Sequence, residues 1–263
     1  MALKYRDDDG LAVLALAEHA DLDKLARVLA YDDSDKAKRY AQQLLDDPAY
    51  KSAIEASDLR PAWRSIAAEL QAFGGDGIAN LIRNTFQDHT GVLYREILAD
   101  ICGQVGVKAK AEVGIKELED QLLAQLILKF SKDSSAEEMI RILKDTAEGS
   151  GLADAVAGGL KLEDLAARMG ADARLGYIAA IVAPALASAA LPFLARISLP
   201  VVIRVMAPRV GGALVPGLNV LALLSTATLA TGPAYRVTLP AVLEVIRIRR
   251  VVLMAPLDGG KSA

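Results

Sequence analysis

The chain has little of the side-chain chemistry that metal centres and catalytic sites require. Its 263 residues include one cysteine and two histidines, His19 and His89. These are too few soft ligands for a structural zinc site or a disulfide framework. Cys102 stands at helical spacing from Leu98 and Val105, so we expect a buried and unreactive thiol. The sequence therefore predicts no metal and no cofactor.

Motifs of catalysis are also missing. The glycine-rich run at 73–80 follows a helical pattern, and Asn80 stands where a dinucleotide fingerprint needs its third glycine. The acidic clusters at 7–9 and 32–35 lack the glycine and glutamate of a calcium-binding EF-hand loop. We expect a non-enzymatic protein, with an enzyme that uses an unfamiliar acid–base pair as a distant alternative.

Secretory signals and overall positive charge are absent as well. The amino terminus, MALKYRDDDG, has no apolar run behind a basic start, which predicts a cytoplasmic protein. The net charge of −3 gives no reason to expect nucleic-acid binding. This average hides a division, because nine basic residues but only two acidic ones follow Asp172. That balance of +7 leaves −10 for the first 172 residues, so the two regions should attract each other within or between chains.

Apolar residues recur three and four positions apart through residues 8–148, which predicts an all-α domain of short amphipathic helices. The clearest segments are 90–105, which Thr90 could cap, and 114–130; another helix should start at Ser134. The two apolar stripes are Leu93, Ile97, Ile101 and Val105, and then Ile115, Leu118, Leu122, Leu126 and Phe130. Opposite the second stripe lie Lys116, Glu117, Glu119 and Asp120.

Glycines at 149–151 and 158–159 mark a domain boundary. We predict an acidic helical domain at 1–150, a junction with a short helix at 151–170, an apolar, basic helical region rich in Ala and Gly at 171–255, and a tail at 256–263. The apolar region contains two runs without charge, 175–195 and 210–235. As helices they would be roughly 31 and 39 Å long, against about 30 Å for a bilayer core.

The connection between these runs argues against a simple spanning hairpin, because Arg196, Arg204 and Arg209 would be costly to carry across a bilayer. Three arrangements stay open: membrane-spanning helices, conditional or peripheral membrane binding, and an ordinary buried hairpin. The candidate membrane or interface residues are Leu175, Ile178, Ile181, Val182, Leu186, Phe193, Leu218, Leu221, Leu224, Tyr235, Arg236, Arg247, Arg249 and Arg250. The last three could hold phospholipid head groups or form a solvated cap on a terminal helix.

Three motifs carry a resemblance to a known family. They are Glu69-Leu70-x-x-Phe73-Gly74-Gly75-Asp76-x-Ile78-Ala79-Asn80 with Arg83, then Leu93-Tyr94-Arg95-x-Ile97-Leu98-x-Asp100, and Gly232-Pro233-Ala234-Tyr235-Arg236-Val237-Thr238-x-Pro240-Ala241-Val242-Leu243. In their order along the chain they resemble the YaaW-like family of largely uncharacterised bacterial proteins. The resemblance implies a helical protein and transfers no catalytic residue.

Physical explanations accompany these motifs. Phe73, Gly74 and Gly75 suit a tight turn between helices, with Asp76 as the cap of the next one. The pairs Tyr94-Arg95 and Tyr235-Arg236 each predict a packed aromatic ring beside an arginine that reaches an acidic partner, and Arg236 should mark a joint before the last helix.

We expect a non-enzymatic, membrane-associating protein whose soluble helical domain shields or controls an apolar hairpin. Self-association and membrane permeabilisation are further expectations, with anionic lipid and a second copy of the chain as partners, at the inner face of the cytoplasmic membrane. Deleting 171–255 should then leave a soluble helical fragment. The alternative is a soluble assembly factor or chaperone-like binding module whose apolar helices are core.

Overall fold

The computed structural model describes residues 3–31, 43–75, 91–133, 156–159, 161–168 and 237–253, together with positions 137, 141, 176, 179 and 180. These ranges consist of helices, short turns and connecting segments, and no β-strand occurs within them, so the all-α prediction is confirmed. The described helices are α1 (His19–Ala30), α2 (Pro48–Glu55), α3 (Trp63–Gly75), α4 (Tyr94–Val105), α5 (Ile115–Asp133), α6 (Leu162–Arg168) and α7 (237–253). Short 3-10 turns lie at Ala12–Leu16, Leu44–Asp46 and Arg60–Ala62.

The predicted apolar stripes of α4 and α5 face the core except at their first members, Leu93 and Ile115, which are only partly buried. Ile97, Ile101 and Val105 are buried in α4, and Leu118, Leu122 and Leu126 are buried in α5. The side chain of Phe130 lies outside the described residues. Packing of α5 against α4 brings the two stripes together and forms the centre of the domain. Periodicity alone predicted these faces correctly because each helix has one continuous apolar side.

The amino-terminal end of α4 differs from the sequence-based expectation. The helix begins at Tyr94, with Leu93 at the N-cap position, so the prediction that Thr90 caps it is wrong. The carboxylate of Glu96 accepts a hydrogen bond from the backbone N–H of Leu93 at 3.2 Å. Asp8, which is 86 residues earlier, accepts one from the N–H of Tyr94 at 2.6 Å. A distant segment therefore caps α4, because its carboxylate satisfies a free donor at the positive end of the helix.

The glycine motif of α3 also has a role that the sequence did not predict. The helix continues through Gly75, so Phe73 and Gly74 lie within α3 and not in a turn. A Cβ atom added to Gly74 would lie 2.5 Å from Cδ1 of Ile97. Glycine at this position therefore allows α3 to approach α4 closely. Asp76 lies outside the described residues.

The terminal helix α7 is part of the same core as the amino-terminal helices. The side chains of α7 that have no exposed surface are Leu239, Ala241, Val242, Leu243, Val245, Ile246 and Ile248. Residues at consecutive positions point in different directions around a helix, so the stretch 241–246 of α7 is covered on all sides, whereas Leu253 near its end is exposed. Along the chain, α7 follows α6 after the connecting residues 169–236. Helix α6 packs against α5.

Most of the predicted apolar region lies outside the described residues. The runs 175–195 and 210–235 include only three described positions, Gly176, Ala179 and Ala180, which are helical and buried. The helix predicted from Ser134 is likewise described only at positions 137 and 141, which are helical. None of the helices in the described part of the chain combines the length and the apolar character needed to cross a membrane.

Candidate functional site

The three arginines of α7 form a network of buried ion pairs with the acidic domain. The first of them, Arg247, lies between two carboxylates. Its Nη2 atom is 2.8 Å from Oδ1 of Asp21 in α1, and its Nε atom is 2.7 Å from Oε2 of Glu244 in α7. All three side chains are between 12% and 16% exposed. Arg247 therefore joins α7 to α1 through a pair that is largely shielded from water.

Arg249 reaches the centre of the domain. Its Nε atom is 3.0 Å from Oε1 of Glu119 in α5, and the hydroxyl of Tyr94 in α4 donates to the same oxygen at 3.0 Å. The guanidinium also donates to the carbonyl oxygen of Gly10 and lies 6.0 Å from the centre of the Tyr94 ring. Glu119 has no exposed surface. One buried carboxylate thus connects α4, α5 and α7.

Arg250 completes the network on α5. Its Nη2 atom is 2.6 Å from Oδ1 of Asp120 and 3.7 Å from Oε2 of Glu119. Asp120 also accepts a hydrogen bond from Nζ of Lys116 at 2.8 Å. The prediction that Glu119 lies opposite the core is wrong, because the arginines of α7 cover that side of α5 and supply the compensating charge.

Burial alters the acid–base properties of this network. It raises the pKa of Glu119, although the charges of Arg249 and Arg250 and the hydrogen bonds from Arg249 and Tyr94 oppose the shift. Burial and then the Glu119 charge raise the pKa of Tyr94 well above its ordinary value. Burial by itself would lower the pKa of Arg247. The charges and hydrogen bonds of Glu244 and Asp21 have the larger combined effect, so the pKa of Arg247 is raised. Tyr94 therefore stays a hydrogen-bond donor to Glu119, and the network joins α4, α5 and α7.

The amino-terminal turn packs directly against this network. Oδ1 of Asp8 accepts a hydrogen bond from the N–H of Gly10 at 2.8 Å, while its other oxygen caps Tyr94. A Cβ atom added to Gly10 would lie 2.7 Å from the Tyr94 ring. The amide of Gln71 in α3 makes paired hydrogen bonds with the backbone of Arg6, at 3.0 and 2.9 Å. The early acidic run is thus a structural part of the site.

Arg95 has a different role from the one that its motif predicted. Its Nη2 atom donates to the carbonyl oxygens of Lys110, Ala111 and Val113 at 3.1, 2.6 and 2.9 Å. The sequence predicted an acidic partner, and the structure places three backbone acceptors there instead. Arg95 therefore holds the loop between α4 and α5, because the two N–H donors of its Nη2 atom are shared among these carbonyl groups.

The structure brings three of the predicted site residues, Tyr94, Arg249 and Arg250, together around Glu119, while Arg247 joins α7 to α1 in a separate ion pair with Asp21. The predicted residues outside the described ranges are Leu175, Ile178, Ile181, Val182, Leu186, Phe193, Leu218, Leu221, Leu224, Tyr235, Arg236, Asp76, Asn80 and Arg83. Sequence reasoning missed the carboxylates of Asp21 and Glu119 as partners. The opposite charges of the two halves were the available signal, but they do not specify which residues pair. No cluster of metal-binding side chains was found where the structure describes the chain.

Comparison with known proteins places this chain among bacterial relatives. It is 30% identical over 253 residues to the UPF0174 protein YaaW of Escherichia coli K12, covering 96% of this chain and 98% of that protein. The chain belongs to the UPF0174 family, in agreement with the YaaW-like motifs. A UPF0174 protein of Helicobacter pylori J99 is 29% identical over 249 residues, covering 95% of this chain and 93% of that protein. No family model matches the chain, and no solved structure matches it.

Proposed function

We propose that this UPF0174 protein is a non-enzymatic, membrane-associating protein whose helical domain holds and shields an apolar segment. The observation that supports this proposal is the docking of α7. This helix follows the apolar runs, and Arg247, Arg249 and Arg250 join it to carboxylates of the acidic domain. The protein would act by binding lipid, with its domain as the holder of the apolar segment.

The connectivity supports this reading. The apolar segment is anchored at both of its ends, because Ala166 of α6 before it and α7 after it belong to the common core. Between them lie runs of 21 and 26 residues without charge. Such runs gain free energy when they leave water, either in a lipid surface or against protein. A domain that holds both ends could keep the runs shielded until lipid is present.

Vesicle flotation tests the proposal. Full-length protein should float with vesicles made of equal parts phosphatidylglycerol and phosphatidylcholine. The variant Leu221→Asp should float much less, because a charged side chain in an apolar run opposes transfer into lipid. Leu16→Asp is the matched control, since Leu16 is an apolar side chain that is 68% exposed on the domain. The proposal would be contradicted if the Leu221→Asp variant floated as well as the wild-type protein. It would also be contradicted if the wild-type protein did not float.

A soluble assembly factor or chaperone-like module is the second candidate, and one specific observation favours it. Ala179 and Ala180, in the first apolar run, have no exposed surface and belong to the common core. On this reading the apolar helices are core. Leu221→Asp would then lower the midpoint of thermal unfolding without vesicles, and the full-length protein would not float. Vesicle-dependent flotation with an unchanged unfolding midpoint favours the first candidate.

Association with the inner face of the cytoplasmic membrane and self-association belong to the same proposal. Opposite charges on the acidic domain and on the basic residues after Asp172 could also pair between chains. Chemical cross-linking of floated protein should then give dimers or larger species. A single monomer band across a range of protein concentrations would remove self-association from the proposal.

A further inference from the structure

We propose that the amino-terminal segment, residues 3–10, is a strap that closes over the start of α4 and helps to hold α7, with Asp8 as the residue that keeps the strap closed. The strap and α7 then stabilise each other, and displacing the strap weakens the hold on α7. This coupling is a property of the helical domain and does not depend on lipid binding.

The carboxylate of Asp8 joins the strap to two helices. One of its oxygens, Oδ2, accepts hydrogen bonds from the backbone N–H of Tyr94 in α4 at 2.6 Å and from Nε2 of Gln71 in α3 at 3.4 Å. The other oxygen, Oδ1, accepts one from the N–H of Gly10 at 2.8 Å, which closes a turn within the strap. One side chain thus attaches the strap to the domain and fixes the position of Gly10.

The rest of the strap lies on the domain in an extended conformation. The amide of Gln71, which has no exposed surface, pairs with both the N–H and the carbonyl oxygen of Arg6. Leu3 and Tyr5 are partly buried, whereas the residue after each of them is exposed. This alternation is typical of an extended chain with one side against the protein. The strap is therefore held along its length and keeps its other side in water.

Gly10 brings the strap into contact with α7. A Cβ atom added to Gly10 would lie 2.7 Å from Cδ1 of Tyr94 and 3.0 Å from Cδ1 of Ile115. Its carbonyl oxygen accepts a hydrogen bond from the guanidinium of Arg249 in α7. Glycine permits this close approach, so the closed strap supplies an acceptor to Arg249 that a displaced strap would take away.

These contacts close a ring of hydrogen bonds between the strap and α7. Asp8 holds the N–H of Tyr94, and the hydroxyl of Tyr94 donates to Glu119. Glu119 accepts a hydrogen bond from Arg249, and Arg249 donates to Gly10. The N–H of Gly10 returns to Asp8 and completes the ring. Each link fixes the geometry of the next, so the loss of one should weaken the others.

A double-mutant cycle, measured by urea denaturation of the full-length protein, tests the coupling. Asp8→Ala should raise the equilibrium constant for unfolding about 10-fold in the wild-type protein, which is the loss typical of a helix cap. In Arg249→Met protein the same substitution should raise it only about 2-fold, because the ring is already broken. The same factor in both proteins would overturn the proposal.

Asp9 offers the matched control, because it is the next aspartate along the chain and its side chain is exposed. Asp9→Ala should change the unfolding constant by about 2-fold or less, and by the same factor in wild-type and Arg249→Met protein. A loss from Asp9→Ala as large as that from Asp8→Ala would also overturn the proposal, since it would assign the effect to the charge of the acidic run and not to the strap.

Hydrogen exchange gives a second measurement, which needs only the folded single variant. Coupling is reciprocal, so Arg249→Met should loosen the strap by the ratio of the two factors, about 5-fold. The N–H groups of Gly10 and Tyr94, which donate to Asp8, should exchange faster by this factor through local openings that do not depend on urea. Arg60→Met, which removes an exposed ion pair, should leave both rates unchanged. Unchanged exchange at Gly10 and Tyr94 in the Arg249→Met protein would overturn the proposal.

Discussion

Replacing Arg249 with methionine breaks the ion pair that joins α7 to Glu119. Methionine keeps an unbranched apolar stem but has no charge. The Arg249 side chain is 15% exposed and that of Glu119 is not exposed at all, so water cannot replace the lost partner. Arg250 remains 3.7 Å away, beyond hydrogen-bond distance. Removing one member of a buried pair costs about 3–5 kcal/mol of unfolding free energy.

Protonation of Glu119 limits this cost and makes it depend on pH. The ordinary pKa of the carboxyl is 4.5, so binding a proton at pH 7 costs about 3.4 kcal/mol. We therefore expect Arg249→Met to lower the unfolding free energy by about 3 kcal/mol at pH 7. At pH 5 proton binding costs about 0.7 kcal/mol, so the loss should fall to about 1 kcal/mol.

The direction of the pKa shift determines whether stability rises or falls with pH. Burial raises the pKa of Glu119 in the folded protein above its unfolded value. Its contribution to stability is therefore fully present below the unfolded pKa, and it is lost as pH rises through the folded pKa. Removing Arg249 takes away one of the charges that oppose this shift, so the folded pKa rises further. The variant should consequently lose more stability than the wild type between pH 5 and pH 7.

Urea denaturation followed by fluorescence of Trp63, the single tryptophan, measures both effects. Arg60→Met serves as the control, because Arg60 pairs with Asp58 on the exposed surface, and the unfolding midpoint of this variant should not change. A wild-type midpoint for Arg249→Met at pH 7 would refute the structural role of the pair. An equal loss at pH 5 and pH 7 would refute the role of proton binding.

The remaining predictions concern packing, loop support and thiol reactivity. Gly74→Ala should destabilise the protein by about 1–3 kcal/mol in urea denaturation because its Cβ would meet Ile97, whereas Gly103→Ala, with no atom nearby, should stabilise it by about 0.5–1 kcal/mol. A gain from both alanines would contradict close packing of α3 on α4. Arg95→Met should speed limited proteolysis in the loop between α4 and α5, and unchanged cleavage there would argue against its bonds to carbonyl groups. Burial raises the pKa of Cys102 to about 11, so a thiol reagent at pH 8 should label it only on unfolding, and rapid labelling of the native protein would contradict this.

The helices of the acidic domain could be predicted because their signals are local. Leu118, Leu122 and Leu126 lie on one face of α5, and any helix with this spacing has one apolar side. The end of α4 shows the limit of such reasoning. Thr90 was a suitable cap by its position along the chain, but the cap comes from Asp8. A hydrogen bond between residues so far apart depends on how the helices pack, which periodicity does not encode.

Glu119 could not be recognised as a buried residue for a related reason. A carboxylate without a partner is costly to bury, so a charged position on an amphipathic helix is assigned to water. Its partner Arg249 is 130 residues away, on a helix whose position the sequence does not give. The Tyr94 motif did indicate a packed aromatic beside a cation. However, the guanidinium over the Tyr94 ring belongs to Arg249, whereas the adjacent Arg95 binds carbonyl groups of the loop between α4 and α5.

The terminal helix shows why the chain cannot be divided by composition alone. Residues 171–255 share an apolar, basic character, which predicts that their removal leaves a soluble helical fragment. The burial of α7 reverses that expectation, because the deletion also removes Val242, Ile246 and the pair from Arg249 to Glu119. The remaining helices would expose the apolar surfaces that α7 covers, together with a buried carboxylate that has lost its arginine. Such a fragment should unfold or aggregate, and its failure to fold would say nothing about whether the apolar runs contact lipid.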